Sequence, residues 1–134
     1  MRSVTRLFSL YVLGASIVLV GADLGLLQPW VPSFVAGSGL DKVGHLCFVG
    51  LLTILFNCFL SYRFVKIGDR KFLVGTVIIV VLVSIEEFSQ NYLPTRSFES
   101  LDLVADYCGI VFAEYFLRYR QPKTSNIVIR LQRR

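Results

Sequence analysis

An all-α integral membrane bundle of four transmembrane helices is the fold this sequence predicts, on three observations. The apolar fraction is 54% and the mean hydropathy +0.64, where soluble domains hold about 45–50% apolar residues. Four apolar stretches each approach the roughly 20 residues that cross a hydrocarbon core as helix. Positive charge is also distributed very unevenly among the segments that join them. With 134 residues the chain has room for one domain.

The first stretch, Leu7 to Leu27, follows Arg2 and Arg6. A cleaved leader would use those arginines as its basic start and Val20-Gly21-Ala22 as its cleavage site, but apolarity continues through Leu24, Leu26 and Leu27, which suits an anchor better. The second, third and fourth stretches are Val43 to Tyr62, Phe72 to Asn91 and Leu101 to Tyr119. Backbone polar groups in lipid must pair within their own segment, so such runs are helices, and the period-2 alternation of a membrane barrel is absent. Residues 1–119 form the membrane domain and 120–134 a basic tail, in which Pro122, Thr124, Ser125 and Asn126 have linker composition.

Twelve of the fourteen Lys and Arg lie on one side of this arrangement: Arg2, Arg6, Arg63, Lys66, Arg70, Lys71, Arg118, Arg120, Lys123, Arg130, Arg133 and Arg134. Only Lys42 and Arg96 lie on the other, so both termini are expected in the cytoplasm. The formal charge of +5 is therefore a topology signal. It is no nucleic-acid footprint, because no stacking motif accompanies it; the tail suits anionic headgroups instead. Cys47, Cys58 and Cys108 show no metal-ligand spacing and read as small buried hydrophobes.

The acids sort the other way. Asp23, Asp41, Glu86, Glu87, Glu99, Asp102 and Asp106 fall outside or just below the outer surface, leaving Asp69 and Glu114 within. Helical spacing puts Asp41 with His45, Glu87 with Gln90, and Asp102 with Asp106 and Gly109 on shared faces. His45, Glu87 and Asp106 then lie about one turn inside their helix ends, at one level. A carboxylate at the centre of a spanning helix costs about 2.5–3.5 kcal/mol, so such a group needs partners, water or a purpose. The cytoplasmic halves offer no comparable cluster, which argues against a transport path.

Each residue carries two readings. Asp41 either caps the second helix or orients His45 one turn later, and His45 is either an acid–base group or a satisfied buried imidazole. Glu87 is a general base or the partner of Arg96 in an interhelical ion pair; Arg96 in turn holds a phosphate or carboxylate, or closes against Asp102. Asp102 otherwise stabilises the first turn of the fourth helix, and Gly109 permits close helix approach. Trp30 and Phe34 of the first outer loop read as interfacial anchors. One histidine and no close-set ligand pair weigh against a metal site, and nothing names a cofactor.

The run Asp41-Lys42-x-x-His45, then Glu87-x-x-Gln90, Arg96, Asp102 and Gly109 resembles the VanZ-like family, named after a protein associated with teicoplanin resistance. The resemblance covers roughly Leu7 to Tyr119. It implies a multi-pass protein of the bacterial cytoplasmic (inner) membrane that works at the outer face and affects glycopeptide susceptibility. That it handles a lipid-linked envelope molecule is read from the residues, with the carboxylates and His45 moving protons and Lys42 and Arg96 holding phosphate or carboxylate. On that residue reading, Asp41, His45, Glu87 and Asp102 are the candidate catalytic groups, and Lys42, Gln90, Arg96 and Asp106 the candidate binding groups. Asp106 departs from the family pattern, which has Asn there and so offers two donors that a carboxylate lacks. A non-catalytic membrane binding or scaffold protein with a structural polar cluster is the alternative.

Overall fold

The computed structural model describes residues 2–26, 39–93, 98–120 and 128–129. In chain order these form α1 (Arg2–Asp23), α2 (Leu40–Phe59), β1 (Phe64–Ile67), β2 (Arg70–Leu73), α3 (Val74–Ser89) with a short 3-10 turn (Gln90–Tyr92), α4 (Ser100–Arg120) and β3 (Val128–Ile129). Three segments, Ser3–Ala22, Leu40–Phe59 and Val74–Tyr92, are long and apolar enough to cross a membrane. The protein is mostly helical, but the expectation of an all-α chain is corrected by a small three-stranded sheet of order β2-β1-β3.

Contacts fix the direction of each helix. Phe8 stacks on Phe56 and Phe59 while Tyr11 tilts against Phe48 and donates to its carbonyl, so α1 runs against α2. Asn57 meets Thr76, which sets α3 against α2. Ser84 meets Tyr107 and Thr76 meets Glu114, which sets α4 against α3 and parallel to α2. The helices alternate, and the start of α1, the β1–β2 hairpin and the end of α4 share one end of the bundle.

Burial is inverted relative to a soluble protein. Leu10, Leu13, Ile17, Val81, Leu82, Ile85, Val111 and Phe112 are exposed, whereas Thr53, Asn57, Thr76, Glu87, Gln90 and Asp106 are buried. A hydrocarbon solvent accounts for both halves of this pattern, since it rewards outward apolar groups and forces polar ones to pair inside. Cys47 and Cys108 are exposed among those outward groups, against expectation, while Cys58 bonds the Tyr62 hydroxyl at 3.1 Å. Between the polar levels, Val49, Ile79, Val83 and Ile110 form an apolar core.

Helices α2 and α4 approach backbone to backbone. A Cβ on Gly109 would run into the Leu46 carbonyl oxygen, and one on Gly50 would lie 3.3 Å from the Gly109 carbonyl. Small residues on both sides let these backbones touch, which is the packing expected of Gly109. That crossing brings the first turns of α2 and α4 together and so assembles the polar cluster.

Candidate functional site

Helix α2 begins after Gly39, whose φ of 79° is a left-handed conformation suited to glycine. The reversal sets Asp41, Lys42 and His45 on the opening turns, with Asp41 at the positive helix end. Gly39, the N-cap residue, has no side chain to cap that end, and Asp41 brings its negative charge into the first turn. Asp41 does not orient His45. Its Oδ2 accepts from Lys42 Nζ at 2.7 Å, and the same ammonium reaches Glu99 Oε2 and Asp102 Oδ1, both at 2.9 Å. One cation thus ties together three carboxylates from α2, the segment before α4, and α4 itself. Asp41, Glu99 and Asp102 place ligand atoms within 4.8 Å of one another, a geometry that would also suit a metal ion, but Lys42 occupies it.

His45 is oriented by α4 instead. Its Nδ1 lies 3.1 Å from Asp106 Oδ1, and its Nε2 lies 3.9 Å from Asp102 Oδ2. The two aspartates are one turn apart, so the imidazole is bracketed along a single helix face. An ionised Asp106 fixes a proton on Nδ1 and leaves Nε2, on the Asp102 side, free to take or give one. Asp106 is almost wholly buried and His45 half-buried, so the dyad has one dry end and one end open to the outside of the bundle.

Glu87 is completely buried. Its Oε1 accepts from the Glu99 backbone N–H at 3.3 Å and its Oε2 from Gln90 Nε2 at 3.1 Å. Gln90 also donates to Glu86 Oε1 at 3.0 Å, so the amide couples two adjacent acids of α3. Among the described residues no Lys or Arg forms an ion pair with Glu87. Arg96, the partner expected from the sequence, lies outside the described residues, as do Trp30 and Phe34. Of the eight predicted site residues the structure gathers seven: Asp41, Lys42, His45, Glu87, Gln90, Asp102 and Asp106. It adds Glu99 and Glu86, which the sequence reading left out of the site; their charge and place beside the motif were the available signal.

The electrostatic balance revises the role of Lys42. Among the described residues this end holds Asp41, Glu86, Glu87, Glu99, Asp102 and Asp106 against Lys42 and His45 alone. With three carboxylates already on its ammonium, Lys42 is an internal counter-ion and is not poised to receive an anion.

The opposite half is not bare, as had been expected. Glu114 of α4 accepts from the Leu73 backbone N–H at 3.2 Å, from Thr76 Oγ1 at 2.5 Å and from Arg118 Nε at 2.7 Å. Thr76 Oγ1 in turn accepts from Asn57 Nδ2 at 3.1 Å, and Asn57 also donates to the Thr53 carbonyl at 2.9 Å. Leu73, at the N-cap of α3, provides no side-chain cap, and a carboxylate borrowed from α4 accepts from its backbone N–H and from the Thr76 hydroxyl one turn on. Gly75 leaves room for the Asn57 amide, whose Oδ1 would stand 2.5 Å from a Cβ at that position. The pairs Thr53/Asn57 and Glu114/Arg118, each four apart, were the available signal in the sequence. No family model, curated protein or solved structure matches this chain.

Proposed function

We propose that the chain is a VanZ-like protein of the bacterial inner membrane, crossing it four times with both termini in the cytoplasm, whose polar cluster opens to the outer face. There it binds and acts on a lipid-linked molecule of the cell envelope, and through that molecule affects susceptibility to teicoplanin-type glycopeptides. The fourth span is α4. Its charges exclude it by composition alone, yet it packs along α2 with Asp106 and Glu114 turned inward and Val111, Phe112 and Tyr115 outward. The alternating helix directions and the gathering of cations at the hairpin end support the topology.

One observation carries the functional reading: His45, bracketed by Asp102 and Asp106, lies near enough to the buried carboxylate of Glu87 for the two to interact electrostatically. Two proton-exchanging groups so placed, one half-open and one desolvated, suit acid–base work on a group presented from the outer leaflet. The polar head of the amphiphile enters from the His45 side while its chains stay in lipid.

The experiment is expression of wild type and His45→Asn in a glycopeptide-susceptible bacterium, at equal membrane abundance. Teicoplanin susceptibility and the envelope-lipid profile should shift with wild type and return to baseline with the variant. Equal effects from both proteins would overturn the proton-exchange role. A second reading, a non-catalytic binding or scaffold protein, is favoured by the Lys42 bridge, which uses three of the acids structurally. It predicts that His45→Asn lowers membrane abundance and effect together.

A further inference from the structure

The β1–β2 hairpin joins the end of α2 at Phe59 to the start of α3 at Val74, so it sits where two spanning segments leave the hydrocarbon core. It is held firmly. Phe64 and Leu73 are buried with Leu117 of α4. The Arg118 guanidinium lies 5.9 Å from the ring centroids of both Phe64 and Phe72, and it also donates to the Lys71 carbonyl.

On this fixed platform Lys66 and Lys71 are directly cross-strand partners, and both are exposed. Like charges directly opposed on an antiparallel pair oppose its formation. No carboxylate relieves them: among the described residues neither lysine forms an ion pair, and Asp69, the only acid of the hairpin, forms none either. Residues 121–134 contain no Asp or Glu, so the tail brings no side-chain acid. Arg63 and Arg70 beside the pair, and Arg6 and Arg120 at the same end, are exposed too. A rigid element that juxtaposes uncompensated cations at the level of the lipid phosphates is matched in charge and in depth by an anionic headgroup.

We propose that the hairpin is a binding surface for anionic phospholipids, with the Lys66–Lys71 pair gripping the headgroup phosphate. This surface is at the opposite end of the bundle from the His45 cluster and does not depend on what that cluster does. A phosphate between the two ammonium groups would turn the cross-strand repulsion into a shared contact.

The test is native mass spectrometry of delipidated protein in detergent, offered phosphatidylglycerol or phosphatidylcholine, with glycerol 3-phosphate as a soluble competitor. Wild type should retain phosphatidylglycerol preferentially, each lysine contributing about five-fold, and the competitor should not displace it. The double variant Lys66→Gln, Lys71→Gln should lose most of that preference with unchanged helicity. Lys71→Glu separates binding from folding: an opposite-charge pair should raise the melting temperature while removing the lipid preference. Absence of a headgroup preference in wild type, or its survival in the double variant, overturns the proposal. So does displacement by glycerol 3-phosphate, or a Lys71→Glu protein that loses stability along with lipid.

Discussion

His45 Nδ1 lies 3.1 Å from Asp106 Oδ1, a contact between α2 and α4 at the centre of the polar cluster. Both residues were candidates from the sequence, but Asp41 on the same helix was the expected partner of the imidazole. Asp106→Ala should therefore destabilise the protein by about 1–3 kcal/mol, the usual cost of leaving a partly buried polar group unpaired. Asp106→Asn keeps an acceptor toward Nδ1 and should cost clearly less. Denaturant unfolding in micelles distinguishes the two, and equal losses would mean that the charge rather than the hydrogen bond holds His45.

Gly109→Ala should be disruptive for a different reason. Its methyl collides with the Leu46 carbonyl, so α2 and α4 must separate, and overpacking of this kind costs about 1–3 kcal/mol. Gly44→Ala on α2 meets nothing within 4 Å and serves as the control, expected to be neutral in thermal unfolding.

Removing the ammonium of Lys42 leaves Asp41, Glu99 and Asp102 facing one another. The Lys42→Ala protein should be less stable than wild type and should be rescued by millimolar calcium or magnesium, hard cations that favour such oxygen ligands. Chelator should reverse the rescue, while the melting temperature of wild type stays insensitive to either addition. A variant indifferent to divalent ions would show that the three carboxylates move apart once the lysine is gone.

At the other end, Glu114→Ala strips the acceptor from Leu73 N–H and Thr76 and leaves Arg118 without its carboxylate. Hydrogen exchange should accelerate at the start of α3, around residues 73–76, well before any change at Glu87. Uniform acceleration along α3 would instead mean that Glu114 supports the whole bundle.

The helices were legible because hydrocarbon imposes long apolar runs, and the His45 cluster because its motif residues recur at helical spacings on α2, α3 and α4. Its pairing was not. Spacing along one helix proposes Asp41 as the neighbour of His45, whereas the Gly50–Gly109 crossing brings in Asp102 and Asp106 and hands Asp41 to Lys42. The hairpin was hidden because Phe64-Val-Lys-Ile and Arg-Lys-Phe-Leu are short and charged, and so read as a basic loop followed by the start of a span. Glu114 escaped notice as a network centre because Thr76, which it accepts from, and Asn57, which donates to Thr76, come singly from two other helices, and only tertiary packing unites them.

The central claim is that the His45–Glu87 site processes an envelope amphiphile. The most direct measurement compares wild type and Glu87→Gln in lipid nanodiscs, each incubated with total bacterial envelope lipids and followed by mass spectrometry of bound and altered species. The account predicts that wild type converts a lipid-linked species and that the equally folded variant does not. Unchanged lipid on both proteins, or a variant that binds nothing and merely unfolds earlier, would contradict it and leave the cluster as a recognition or stability device.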